Sequence, residues 1–350
     1  MSITSDISLS QINYISNPST PLSLTELSPR DFRWDTRRQK TTDVELIYGS
    51  SDSDNCEKHH HYAELMANCS LYLRFRELLE TDDEAALDGL LRLKLSDARF
   101  CRVRWCPICQ WRKSLMWQAK AKKIIPKVIE AYPTYRWLML TLTVKNIPVT
   151  ELRSTIVEMN KSFQRFSELK AFPGEGWIKR CEVTQEKNRS DYAHPHFHIL
   201  IVVKSTFFGR GYLNYEDWQA MWKKSARLDY DPQVDIRAIK TPKLDSADPT
   251  TYSNLVTAVY EVIKYQVKVS DLTHDSDWFL EMSDQLYRTR AISVSGILRK
   301  YFRELEEDPE DLVGKDDELD NDELENAKQF LFRWKQCDRK YLLKEVIEPN

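Results

Sequence analysis

The chain has 350 residues, 41% of them hydrophobic and 30% charged, and a net charge of −3. That describes a soluble globular protein with chain enough for a full core and roughly two domains. No apolar run reaches the ~18 residues of a membrane span, and the Ser/Thr-rich stretch Met1 to Pro29 lacks a basic-then-apolar leader pattern, so a cytoplasmic protein with no membrane partner is expected.

The small net charge hides an asymmetry. From Cys101 to Ala131 there are eight Lys/Arg against one acid, Glu130, a net of +7; from Glu304 to Glu325 there are thirteen acids against one base, Lys315, a net of −12. The basic block is either a polyanion footprint or a solvated helix face. The acidic block is too charged to fold alone. It is a solvated linker, a shield for the basic surface, or a docking site for a host helicase or polymerase.

In chain order, residues 1–55 show little periodicity and read as a flexible segment. Residues 56–132 read as a Cys-rich zinc module followed by a basic helix. Cys101, Cys106 and Cys109 crowd into nine residues, with Cys69 upstream. In a cytosolic protein such clustering favours zinc over disulfides. A Cys-x2-Cys knuckle supplies two of the four soft ligands, and Cys69 and Cys101 complete the tetrahedron. Cys56 or one of His59, His60 and His61 is an alternative fourth ligand. Four cysteines leave no open position, so this zinc is structural. Trp111 to Ala131 reads as a helix whose Arg112, Lys113, Lys120 and Lys123 are candidate DNA contacts. Its tryptophans, with Trp105, either stack on bases or pack inward.

Residues 133–275 form the proposed catalytic domain. Arg136 to Val144 reads as a central strand, Val149 to Lys170 as a helix, and Trp177 to Thr184 as a strand with Arg180, Glu182 and Thr184 on one face. The turn Lys187 to Asp191 then leads into Tyr192-Ala-His-Pro-His-Phe-His198-Ile-Leu-Ile-Val-Val203, a buried strand. Alternation puts His196 and His198 on one side and Phe197, Ile199 and Ile201 on the other. Two such imidazoles are either satisfied strand histidines or a pair of metal ligands. If the polar faces of the hairpin align, Glu182 joins them. Two imidazoles and a carboxylate with open positions suit Mn²⁺ or Mg²⁺ acting on a phosphate. Glu216 to Leu228 reads as a helix, Val234 to Ile239 as a strand, and Leu255 to Val269 as a one-sided helix projecting Glu261 and Tyr265 together, flanked by Lys264 and Lys268. Residues 276–350 are expected to be a helical C-terminal region, with helix over 276–303, the acidic linker, and a basic-aromatic helix from Ala327 to Val346.

These motifs carry a likeness. Histidine-hydrophobe-histidine on a strand, followed by a helical tyrosine, resembles the HUH endonucleases. The ordered set Cys-x4-Cys-Pro-x-Cys, Leu138-Met-Leu-Thr-Leu-Thr143, His194-Pro-His-Phe-His198 and Glu261-x3-Tyr265 is similar to the rolling-circle replication initiators of small bacterial plasmids. It spans roughly Cys69 to Leu272. The resemblance implies an α+β fold with a central antiparallel HUH-type sheet and packed helices. It implies His196 and His198 as paired ligands, Tyr265 as nucleophile, and Glu261 in place of a second tyrosine. Glu182 is then the third ligand, with His194 in reserve. The implied activity is a nick in single-stranded or hairpin origin DNA that leaves a 5′-phosphotyrosyl link and a free 3′-hydroxyl.

Two rivals remain at this level. One is an HUH transposase or relaxase; Tyr260, five residues before Tyr265 and so about 140° round a helix, does not supply the second tyrosine that a two-tyrosine transposase needs. The other is a zinc-stabilised DNA-binding protein without catalysis.

Overall fold

The computed structural model describes residues 21–78, 92–239, 272–304 and 327–349, with Leu255, 257–260 and Val262 among the intervening ones. Helices in chain order are α1 (Leu24–Leu27), α2 (Arg33–Gly49), α3 (Cys56–Ala67), α4 (Pro107–Ala131), α5 (Leu152–Ser167), α6 (Tyr215–Ala226), α7 (Ser276–Gln285) and α8 (Leu298–Glu304). The strands are β1 (Tyr72–Glu77), β2 (Leu93–Ala98), β3 (Arg136–Thr143), β4 (Ile147–Pro148), β5 (Gly174–Glu186), β6 (Arg189–Val203), β7 (Val234–Ile239), β8 (Ile292–Gly296), β9 (Gln329–Lys335) and β10 (Lys340–Ile347). The described residues fall into two compact units, those within 1–112 and 311–350, and those within 113–310.

The first unit contains an antiparallel sheet in the order β10-β9-β1-β2. Two expectations are corrected here. The supposed C-terminal helix from Ala327 to Val346 is a β-hairpin. Phe330, Phe332 and Trp334 alternate inward along β9, and Tyr341 and Leu343 do so along β10, which is the period of a strand. The supposed flexible segment up to residue 55 contains α1, α2 and a 3-10 turn over Pro29–Phe32. The buried residues of α2 are Trp34, Arg38, Thr41, Thr42, Val44 and Tyr48. Their spacing is helical, but Arg38, Thr41 and Thr42 are polar, so an apolar count misses the helix. Tyr341 ties the hairpin to this helix through its backbone N–H, which donates to Asp35 (2.8 Å), and to the segment before β1 through its hydroxyl, which donates to Ser70 O (2.8 Å).

The second unit is built on a sheet ordered β7-β3-β6-β5-β8, with β4 paired to β6. Every pairing is antiparallel, in line with the α+β expectation. The helix expected over 276–303 is interrupted by strand β8, where Ile292 and Val294 alternate with Ser293 and Ser295. One face of the sheet is covered by aromatic side chains of α5 and α6. Phe163 meets Phe197 and Trp177 edge-on, and Phe166 meets Trp222. On the opposite face Trp137, Ile178, Leu200 and Val202 form a cluster with Ala121, Ile124, Ile125 and Val128 of α4, Leu298, Tyr301 and Phe302 of α8, and Leu255, Val259 and Val262. Strand alternation puts His196 and His198 on this second face, beyond the end of the cluster.

Lys179 of β5 points to the aromatic face, where its ammonium lies 3.9 Å from the Phe197 ring centre and donates to Asn160. Burial pushes its pKa down from 10.5 to about 8. The unfolded chain holds this proton more tightly, so the folded state is penalised in full below about pH 8 and the penalty fades as pH rises to about 10.5. Lys179→Met is therefore expected to raise stability by on the order of 1–3 kcal/mol at pH 7, with the gain shrinking across that window. Thermal melts at pH 7 and pH 10 check this.

Candidate metal centres and nuclease site

The β5–β6 hairpin creates the first site. Its register places Glu182 directly opposite His196, and Arg180 opposite His198. The ligand atoms of Glu182, His196 and His198 lie within 4.8 Å of one another. Each imidazole is held through Nδ1. That of His196 donates to the His194 carbonyl (3.2 Å), and that of His198 lies 3.1 Å from the Thr141 hydroxyl on β3. Both rings are thereby left with Nε2 to offer a cation, and Nε2 of His198 already lies 3.3 Å from Glu182 Oε2. Such Nδ1 partners hold the ring plane of a ligating histidine, and the carbonyl also fixes the tautomer of His196.

Electrostatics favour the deprotonated ligand set. Burial raises the Glu182 carboxyl, but the His198 hydrogen bond and the Arg180 guanidinium, 2.7 Å away, overcome it and hold the pKa at about 2. Burial, with the neighbouring His198 ring, lowers His196 to about 4. Protons therefore do not compete for either group at neutral pH. The donor set of two imidazoles and one carboxylate fits a divalent cation with open positions. His194 stands apart from the trio. Its Nδ1 is 2.6 Å from Asn146 Oδ1, and its ring centre is 5.1 Å from that of His196. The residues that sequence reading missed are Thr141 and Asn146, contributed by β3 and the turn after it. Only the strand pairing brings them to the histidines. Thr141→Val is expected to weaken Mn²⁺ binding about tenfold by freeing the His198 ring; isothermal titration with Mn²⁺ measures it.

Glu261, Lys264, Tyr265 and Lys268 lie outside the described residues, as does the acidic stretch 305–326. Helical residues before Lys264 are described: Leu255, Val259 and Val262 are fully buried in the cluster on the histidine-bearing face.

In the first unit Cys69, Cys101, Cys106 and Cys109 come together. The pairs Cys69–Cys109, Cys101–Cys109 and Cys69–Cys106 are each separated by 3.6 Å between sulfurs. A tetrahedron with Zn–S of about 2.3 Å has edges of about 3.8 Å, so the four fit zinc; a disulfide would need about 2 Å. Backbone N–H groups of Cys101 and Arg102 point at the sulfurs of Cys69 and Cys109. Cys101 is pushed up chiefly by Cys106, and Cys109 chiefly by Cys101; burial opposes ionisation of Cys106, but bonds from the other sulfurs hold it down. Crowded sulfurs of this kind ionise together only with a cation among them. The alternative fourth ligands are elsewhere: Cys56 is outside the cluster, while His59 and His60 bond to Ser51.

On α4, Lys113 and Lys123 are exposed, Lys120 sits over the Trp117 ring at 5.8 Å, and Arg112 lies over the Trp34 and Trp111 rings. Trp105 and Trp111 are buried, which favours inward packing over base stacking for both. No helix among the described residues is long and apolar enough to cross a membrane.

Residues 92–342 match the family described as Replication protein. A Protein rep from Bacillus amyloliquefaciens is 33% identical over 299 residues, covering 81% of this chain and 85% of that protein. A Protein rep from Streptococcus pneumoniae serotype 2 is 34% identical over 266 residues, covering 73% of this chain and 79% of its own. A Replication protein from Staphylococcus aureus is 32% identical over 239 residues, covering 65% of this chain and 98% of its own. No solved structure matches the chain. The family match over 251 consecutive residues, joined to relatives of this identity and coverage, makes the chain a member of the Rep family of replication proteins.

Proposed function

We propose that this Rep protein is a plasmid rolling-circle initiator that nicks one DNA strand at the origin through Tyr265. The observation that carries this reading is the trio Glu182, His196 and His198, gathered on two neighbouring strands with ligand atoms within 4.8 Å. A divalent cation bound there supplies Lewis-acid polarisation of a scissile phosphate. A structural site of this kind would be closed; two imidazoles and one carboxylate leave room for a substrate oxygen. Burial of Leu255, Val259 and Val262 on the same sheet face supports Tyr265, three residues past Val262, as the nucleophile.

In the proposed reaction the Tyr265 phenol oxygen gives up its proton and bonds to phosphorus, the bond from phosphorus to the 3′ oxygen breaks, and the leaving 3′ oxygen takes up a proton. The product is a 5′-phosphotyrosyl link and a 3′-hydroxyl that primes a polymerase. A phenol of pKa near ~10 is a weak nucleophile at neutral pH, and Lys264 or Lys268 nearby would favour its phenolate. After one round Glu261 activates water to hydrolyse the regenerated site, and the displaced strand is rejoined or released. The cut strand must be unpaired, so a hairpin or melted origin is the substrate, with the α4 cations contacting backbone phosphates.

Incubating the protein with labelled single-stranded fragments of its own replicon and Mn²⁺ tests the reading. One fragment should yield a covalent protein–DNA band; the reading fails if every fragment stays intact. Glu261→Ala should keep the first cleavage and lose termination, leaving multimeric displaced strands. Loss of the first cleavage would remove Glu261 from that role.

A further inference from the structure

Beside the trio, the same end of the sheet carries two cation–aromatic pairs to which the proposed chemistry gives no role. In the turn between β3 and β4, Asn146 bonds His194, while Lys145 turns to Tyr230: its ammonium is 4.0 Å from that ring's centre, and its backbone N–H donates to the Tyr230 hydroxyl (2.9 Å). On β6, two residues before His194, Tyr192 lies under the Arg189 guanidinium at 4.7 Å. Lys145 and Arg189 are exposed, and both tyrosines are half-exposed. Contacts run without a break from Tyr230 through Lys145, Asn146 and His194 to His196, and on to His198, whose ring centre is 4.8 Å from that of His196.

We infer that Tyr230 with Lys145, and Tyr192 with Arg189, form two brackets that hold unpaired nucleotides next to the scissile phosphate. In each, a base stacks on the ring and the adjoining phosphate meets the cation. A ring beside a cation is the pairing that binds single strands without reading sequence. A duplex keeps its bases stacked on each other and cannot use it. This inference rests on the proposed nuclease site, since it assigns the approach of the strand to that site.

The test compares a short oligothymidine with an abasic strand of the same length, both titrated into the full chain without metal. The phosphate charge is equal, so the ratio of the two affinities isolates stacking. Wild type should prefer oligothymidine. Tyr192→Ala and Tyr230→Ala should each cut that preference about tenfold, and Tyr→Phe at either position should restore it. Circular dichroism of each variant accompanies the titrations. An unchanged preference in both folded alanine variants overturns the brackets. If the preference falls as stated but no covalent band forms with replicon fragments, the brackets stand as a single-strand surface and the nuclease reading fails.

Discussion

Replacing Tyr265 with Phe should abolish the covalent protein–DNA product and leave origin binding intact. The change removes one oxygen, the atom that would bond to phosphorus, and keeps the ring. On the helix expected there, Tyr260, five residues before it, would face about 140° away and is not expected to replace it. The loss of strand cleavage is therefore expected to reach at least ~10³-fold, as for other single nucleophiles. Binding draws on phosphate contacts and stacking elsewhere, so the affinity of a single-stranded origin fragment should stay within about twofold. Gel-shift and denaturing-gel assays on the same fragment separate the two quantities. A Phe variant that still forms the covalent band assigns the nucleophile to another residue. A wild type that binds but never cleaves favours the rival reading, a zinc-stabilised DNA-binding protein. The other rival, a transposase or relaxase with the same ligand trio, is separated by Glu261→Ala, because only a terminating initiator needs that carboxylate to end a round.

The histidine site was legible because a hairpin is local. Alternation along Tyr192 to Val203 fixes the side on which His196 and His198 lie, and Lys187 and Asn188 link β5 to β6. Together these bring Glu182 opposite His196 with no distant contact to guess. The strand through Leu138 to Thr143 was equally plain, but its consequence for Thr141 was not, since a hydroxyl partner for His198 depends on which strand becomes the neighbour of β6. The C-terminal hairpin was lost for a different reason. Its inward residues are mostly large aromatics, with Leu331 and Arg333 between those of β9, and a basic-aromatic composition suggests a helix although Phe330, Phe332 and Trp334 keep a period of two. In α2 the difference runs the other way: the helical period is present, but three of its buried positions are Arg38, Thr41 and Thr42. Side chains that bury by making hydrogen bonds, as Arg38 does to the Ala67 carbonyl at 2.9 Å, carry no apolar signal.

We propose that the four-cysteine site holds zinc, and stripping it of that ion is then expected to unfold the first unit, the largest stability effect expected anywhere in the chain. Cys69 and Cys106 are fully buried and Cys109 is 5% exposed, so the sulfurs cannot exchange a lost cation for water. Thr41 of α2 sits 3.7 Å from the Cys106 sulfur and accepts the Ile108 N–H (3.4 Å), which links the cluster to that helix and to the start of α4. Binding at a structural zinc site is worth on the order of 10 kcal/mol at neutral pH, as much as the whole stability of an ordinary domain. Cys106→Ser is accordingly expected to abolish stoichiometric zinc and to lose helical and sheet signal at 25 °C, and a strong chelator should do the same to wild type more slowly. Cys56 and Cys337 lie outside the cluster, so serine at either position should leave both zinc content and melting temperature unchanged. Metal analysis with circular dichroism on the four proteins decides the matter: a Cys106→Ser chain that melts like wild type would mean that ordinary packing, with no cation at its centre, keeps these sulfurs 3.6 Å apart.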